Sequence, residues 1–182
     1  MKKSILALSI SVLASVPAIA ADSKTMADYD LNDRSGFAIR AGLTGTAGDL
    51  GNGETNNGIA FGASYTMENG IIIGANYAPT IAEDSAYAYG LEATVEIANF
   101  VPYVGYQFHN GFKLTGGIPF AMADATVSDY YGNTVSDSEI YNGFAVGVGY
   151  DFDHLTLDAQ WSFIDVEGLS GVNANLLVGY KF

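Results

Sequence analysis

The sequence predicts an all-β chain: an eight-stranded antiparallel up-and-down barrel that crosses a membrane. Three observations carry this. Several segments alternate large apolar and small or polar residues at every second position, the period of a strand. The phrase Gly-Tyr-x-Phe occurs at Gly105–Phe108, at Gly149–Phe152 and, as Gly179-Tyr180-Lys181-Phe182, at the end of the chain. Between the strands, very short turns alternate with long polar connections, the layout of a barrel with one tight rim and one looped rim.

The chain opens on a different kind of segment. Met1–Ala20 carries two lysines, an apolar run from Ile5 to Val16, and Ala18-Ile19-Ala20, the pattern of a secretory signal peptide cleaved after Ala20. The apolar run is too short for a membrane helix, and nothing after residue 20 approaches the ~20 apolar residues one needs. A spanning mature chain must therefore be a closed barrel. Residues 21–35 show no periodicity and read as a short N-terminal tail. Residues 36–182 read as the barrel.

The strands are placed near 36–44, 58–67, 71–80, 94–108, 112–126, 140–150, 155–165 and 172–182. In the first, Phe37, Ile39, Ala41 and Leu43 share one face. In the second, Ile59, Phe61, Ala63, Tyr65 and Met67 do so. Asn69-Gly70 after Met67 and Asn110-Gly111 after Phe108 are hairpin signals. Asp153-His154 follows Phe152 in the same position. In the fourth strand Tyr106, Val104, Pro102, Phe100 and Ala98 face outward. Above them Ile97, Val95 and Leu91 would look outward instead, through a bulge near Ala98-Asn99. Splitting residues 87–108 around Asn99 would give nine strands. Even numbers are the rule for bacterial single-chain barrels, which favours eight. Pro102 and Pro119 are awkward, since proline cannot donate to a ladder. The long connections fall near 45–57, 81–93, 128–139 and 166–171.

The two faces differ in kind. The large apolar side chains, among them Ile73, Val104, Leu114, Val146, Leu157, Trp161 and Val178, fall on the face expected outside. The opposite face carries Arg40, Thr44, Ser64, Asn76, Gln107, Lys113, Asp158, Gln160 and Ser162. A water-soluble sheet would bury the apolar face, and no second layer exists in the sequence to cover it. Lipid covers it. Tyr65, Tyr106, Phe108, Tyr150 and Phe152, all beside tight turns, fit an aromatic girdle. An eight-stranded barrel has room inside only for side chains. Arg40 and Lys113 are expected to meet Asp158 there, with Gln160, and with Glu92 or Glu96 as further partners, leaving the lumen plugged.

Charge and composition narrow the function. The formal net charge is −13, and loss of Lys2 and Lys3 with the signal peptide takes it to −15. Nucleic acid is excluded as a partner, because phosphate binding needs clustered Lys and Arg. The acidity reads as solubility and self-repulsion, or more sharply as surface loops that bind cations or basic partners. There is no cysteine, which removes thiol chemistry and cysteine metal sites. His109 and His154 both fall in tight turns, away from the loops, and read as solvated turn residues. No carboxylate or third His stands at ligand spacing beside them. The loop carboxylates, Asp49, Glu54, Glu83, Asp84, Asp129, Asp137, Glu139, Asp165 and Glu167, lack the spacing of a calcium loop. Gly51-Asn52-Gly53 and Gly147-Val148-Gly149 precede no helix and are not phosphate loops. No catalytic residue, metal or cofactor is expected.

The closing third, Leu155–Phe163 ("LTLDAQWSF") followed by a loop and "NANLLVGYKF", resembles the small eight-stranded outer-membrane proteins of Gram-negative bacteria, the OmpX/Ail and OmpA-barrel group. The resemblance covers Gly36 to Phe182. It implies an inward Asp on the penultimate strand, matched by Asp158. It also implies a last strand alternating outward to a final Phe, matched by Ala174, Leu176, Val178, Tyr180 and Phe182. In such proteins that strand is the signal read by the barrel-assembly machinery. The implied partners are outer-membrane lipids and that machinery, with an unidentified surface ligand. The loops depart from the adhesive members in being poor in Lys and Arg, so heparin- or lipopolysaccharide-directed contacts do not carry over. The expected role is non-enzymatic: envelope structure, or surface interaction in adhesion or defence. A small porin-like channel is the first alternative and an outer-membrane enzyme the second.

Overall fold

The computed structural model describes residues 35–48, 56–88, 91–131, 133–166 and 168–182. The expected signal peptide, nearly all of the expected 21–35 tail, and Asp49, Glu54 and Glu167 lie outside these residues. Among the described residues, nine strand segments form one antiparallel sheet: β1 (Gly36–Gly48), β2 (Asn56–Thr66), β3 (Ile71–Ala88), β4 (Leu91–Gln107), β5 (Phe112–Gly117), β6 (Phe120–Asp129), β7 (Thr134–Phe152), β8 (Leu155–Val166) and β9 (Leu169–Lys181). The sheet closes through the pairing of β1 with β9. β5 and β6 both lie between β4 and β7, end to end. They are one strand interrupted at Ile118–Pro119, so the barrel has eight strand positions.

The prolines account for the irregularities. Pro119 cannot donate to the ladder, and the strand breaks there; beside it Ile118 donates its N–H to the Pro102 carbonyl at 3.2 Å. On β3 the register shifts between Ala78 and Ala82, so that Pro79, Thr80 and Ile81 stand opposite Ala98 alone. The bulge thus lies on β3, at a proline, and not at Ala98–Asn99. β4 keeps its phase: Ile97 is buried on the lumen side with Asn99 and Val101. The expectation that Ile97 turns outward is corrected.

The tight rim is built by repetition. Gly70 and Gly111 adopt positive φ, +87° and +83°, as the last residue of three-residue turns. Each turn is closed by a bond from the glycine N–H to the Met67 or Phe108 carbonyl. Each is braced by Asn69 or Asn110, whose Oδ1 accepts the N–H two residues on. Each turn also docks on the next strand: Gln107 N–H reaches the Gly70 carbonyl, Asp151 N–H that of Gly111, and Lys181 N–H that of His154. Phe182 completes the ring by donating its N–H to the Phe37 carbonyl at 2.8 Å.

The opposite rim differs from the expectation of long loops. Residues 81–93 and 128–139 are mostly strand. β3 and β4 run on as a paired ribbon to Ala88↔Leu91, and β6 and β7 to Ser128↔Thr134. β4 pairs with β6 along this length, so the two hairpins form one four-stranded sheet. β7 pairs with β8 only from Gly143 onward, and β2 with β3 only up to Tyr77. The double hairpin therefore projects past the closed barrel.

Candidate functional site

Two regions have functional character: the barrel interior and the projecting double hairpin. The interior is set by strand parity. Arg40 on β1, Lys113 on β5, Asp158 on β8 and Gln160 on β8 all point inward and are buried, Arg40 to 3% exposure and Asp158 to 8%. The Arg40 guanidinium lies 2.5 Å from the Asp158 carboxylate, and Lys113 Nζ 2.9 Å from it. Sequence reading missed three members of this cluster. Tyr103 Oη accepts from Arg40, whose guanidinium lies 5.7 Å from the ring centroid. Asp151 stands 2.6 Å from Lys113 and 3.4 Å from Lys181. The signal for the last two was available: Tyr150 and Tyr180 face outward, so Asp151 and Lys181 must face inward.

Two glycines give the cluster its space. A Cβ on Gly149 would lie 2.0 Å from Asp158 Oδ1, and one on Gly179 would lie 2.3 Å from Arg40 Cγ. Gln160 does not join the ions. It accepts from Asn76 Nδ2 at 3.0 Å, in an amide layer where Asn173 also bonds Asn99, Thr44 and Thr46. Glu92 and Glu96 stay outside the barrel interior; Glu96 instead accepts from Thr80 Oγ1 at 2.6 Å. Beyond the amides, Ile81, Ala82, Ile97, Ala121 and Ile164 pack as an apolar cluster. Side chains thus fill the lumen from an ionic layer at the tight rim to an apolar one below the double hairpin.

The outer face is apolar. Ile39, Phe61, Ile73, Val104, Leu114, Val146 and Val178 are all exposed on it. Tyr65, Tyr106 and Phe108 are exposed beside the tight turns, and Tyr150 and Phe152 are half-buried there. Tyr106–Phe108, Tyr150–Phe152 and Tyr180–Phe182 each form ring pairs, with centroids 5.2, 4.4 and 5.0 Å apart. On β9, Leu176, Val178 and Tyr180 are exposed on the outer face, which Ala174 shares by parity, and Phe182, just past its end, is exposed as well. His154 stacks on Tyr180 at 5.3 Å, and its Nδ1 lies 3.0 Å from the Lys181 carbonyl oxygen. His109 is exposed in its turn.

On the double hairpin the faces exchange character. Cross-strand partners share a face, so the registers define rows. The outward rows are Glu83–Glu96–Asp124–Ser138, Ser85–Thr94–Thr126–Ser136 and Tyr87–Glu92–Ser128–Thr134. The inward rows are Ala82–Ile97–Ala123–Glu139, Asp84–Val95–Ala125–Asp137 and Ala86–Ala93–Val127–Val135. Below the Glu83–Glu96–Asp124 row the outside is greasy; from that row onward it is acidic and hydroxylic. Carboxylates facing outward mark where lipid ends.

A closed antiparallel barrel with an apolar belt, a filled interior and one projecting sheet is a membrane-protein architecture, and the sequence family agrees. The chain belongs to the outer membrane protein beta-barrel domain family, whose profile matches residues 5–182. No curated protein matches the chain in sequence. Several solved structures share the fold. Ail, the attachment invasion locus protein of Yersinia pestis, solved with the heparin analogue sucrose octasulfate, superposes with a TM-score of 0.61 at 13% identity, over 81% of this chain and 97% of its own. OprG of Pseudomonas aeruginosa gives 0.53 at 11% identity, over 81% and 96%. A major outer membrane protein from Thermus thermophilus gives 0.50 at 13%, over 82% and 100%. As an outer-membrane barrel, the chain meets lipid along its apolar belt.

Proposed function

We propose that this protein is a non-enzymatic, non-conducting barrel of the Gram-negative outer membrane whose work is to hold the acidic double hairpin at the cell surface. The observation that carries this reading is the filled lumen. Arg40, Lys113, Asp158, Gln160 and Asn173 are all buried, and they bond one another or their neighbours across the barrel. A solute channel needs such side chains wet. Planar-bilayer recordings test it: no stable solute-sized conductance is expected, and a stable one would make the porin-like alternative correct.

Arg40, Lys113 and Asp158, with Gln160 in the adjoining amide layer, serve as the interior polar groups that lock the barrel shut. Tyr65, Tyr106, Phe108, Tyr150 and Phe152 form the girdle at the inner membrane–water boundary. Ala174, Leu176, Val178, Tyr180 and Phe182 are the outward strand read by the barrel-assembly machinery after export and removal of residues 1–20. Deleting Phe182 should lower the assembled fraction in cells while refolding in detergent stays intact; unchanged assembly would remove that role. His109 and His154, at the rim facing away from the double hairpin, are turn residues, and hydrolysis of lipid or peptide substrates by the purified barrel would overturn this.

The surface role is adhesion or defence by contact. Ail is solved with an anionic heparin analogue. The double hairpin here has no Lys, Arg or His between Thr80 and Phe100 or between Phe120 and Asn142. Its carboxylates repel a sulfated ligand, so the partner belongs to the opposite charge class.

A further inference from the structure

The exchange of faces on the double hairpin leaves an apolar surface that lipid does not cover. The inner face of the four-stranded sheet has a floor of Leu91, Val95 and Val127, all exposed, with alanines between them. The floor belongs to the two central strands, β4 and β6. Along the rows of Ile97 and Val95 the two flanking strands carry the acid: Asp84 on β3, and Asp137 and Glu139 on β7, all exposed; Asp129 of β6 adds a carboxylate at the far end, across from Leu91. In the row Asp84–Val95–Ala125–Asp137 the carboxylates stand at the two ends and the apolar residues in the middle.

From this placement we propose that the inner face of the double hairpin is a docking trough for a basic amphipathic α-helix of a partner polypeptide. The inference rests on the surface-interaction reading above and names its partner class. Three arguments select this occupant. The first is width. Neighbouring strands lie about 4.8 Å apart, so three spacings separate the Asp84 and Asp137 columns by about 14 Å. An α-helix with its side chains is about 10–12 Å across, which seats its apolar stripe on the floor and brings flanking Lys or Arg to both columns. The second is length. From Val95 to Leu91 the exposed floor runs about 13 Å at strand rise, with buried Ile97 closing its lower end, which seats about nine helical residues. The third is charge. Residues 80–100 and 120–142 together carry eight carboxylates and no basic side chain.

Other occupants fit less well. A second copy brings the same acid, and Arg40, Lys113 and Lys181 are buried in the lumen. An acyl chain with an anionic headgroup meets repulsion at both rims. Recognition of this kind is helix-in-groove binding, with anchors at i, i+3, i+4 and i+7.

The test uses the full barrel in phosphatidylcholine nanodiscs, with empty nanodiscs as blank. The probe is a synthetic peptide of about 14 residues, leucines on one helical face and lysines on the other, long enough to lay about nine residues on the floor with a turn to spare. A second peptide of the same composition has its residues shuffled to abolish the amphipathic face. The amphipathic peptide should bind with helical circular dichroism, more weakly at high salt, and the shuffled one at least about tenfold more weakly. Asp84→Asn, Asp137→Asn and Glu139→Gln together should weaken binding about tenfold, as three partly screened pairs are lost. Val95→Lys, which places a charge on the floor, should do the same. Glu96→Gln with Asp124→Asn removes outer-face charge and should change binding by less than about twofold. Equal weakening by inner- and outer-face variants would overturn the trough yet leave an acidic surface-binding role standing. Equal binding of the two peptides, non-helical bound peptide, or concentration-dependent dimers that exclude the peptide would also overturn it. Failure of every basic probe to bind would remove the partner class of the proposed function as well.

Discussion

The wall of the barrel and the double hairpin are built from the same strands and obey opposite rules. Along β4, Tyr106, Val104 and Phe100 face out into lipid, with Gln107, Tyr103 and Asn99 inward. A few residues farther on, Glu96, Thr94 and Glu92 face out, and Ile97, Val95 and Leu91 inward. The backbone phase never changes; the solvent does. In the membrane the polar face must be enclosed, where the ions pair and the amides bond one another across the barrel. Above it, water takes the outer face and the apolar residues retreat to the inner one. Sidedness is a property of what surrounds a strand, and the row Glu83–Glu96–Asp124 is where the surroundings change.

The sharpest way to break this contrast is to remove a carboxylate from each region. Asp158→Ala leaves Arg40 and Lys113 buried beside the vacated position, and should cost about 3–5 kcal/mol in urea unfolding from detergent. Asp137→Ala on the hairpin should stay within about 0.5 kcal/mol. Comparable losses would show that the interior ions carry no special weight. Next in size is a charge on the outer face. Val146→Lys places it in the lipid belt and should cost about 2–4 kcal/mol, whereas Thr126→Lys, also outward but above the boundary row, should be close to neutral.

Packing gives a smaller effect. Gly149→Ala drives a methyl to within 2.0 Å of Asp158 Oδ1 unless the ion layer shifts. It should destabilise by about 1–3 kcal/mol, and thermal unfolding of the variant reads this directly. The smallest effect has the opposite sign. Glu96 lies directly across from Glu83 and Asp124, and like charges in that position repel. Glu96→Gln should raise stability by about 0.2–1 kcal/mol at low salt, and no gain at low salt would mean these carboxylates do not feel one another.

The barrel was legible because its signals are local. Asn69-Gly70, Asn110-Gly111 and the recurring Gly-Tyr-x-Phe fix the tight rim, and parity then sorts Arg40, Lys113 and Asp158 from Ile39, Leu114 and Leu157. The double hairpin was not, for a physical reason. Leu91, Val95 and Ile97 alternate with Glu92, Thr94 and Glu96 as cleanly as any other strand. Reading apolar as outward turned this into a phase flip at Ala98, because that rule holds only within lipid. The acidic composition of residues 81–93 and 128–139 suggested loops for the same reason: it is the composition of strands in water. Asp151 and Lys181 were within reach of parity, while Tyr103 was not, since a tyrosine on an inward position gives no sign of which ion it will meet.

The change of surroundings can be measured directly along one strand. The chain has no cysteine, so single spin labels can be placed at Val104→Cys, Phe100→Cys, Glu96→Cys and Glu92→Cys, all on the outer face of β4, in nanodiscs. Labels at 104 and 100 should collide with oxygen dissolved in lipid and be shielded from a water-soluble nickel chelate, and labels at 96 and 92 should show the reverse. Lipid-like accessibility at 96 and 92 would contradict the account, since the carboxylate row would then lie inside the bilayer and the double hairpin would not project beyond it.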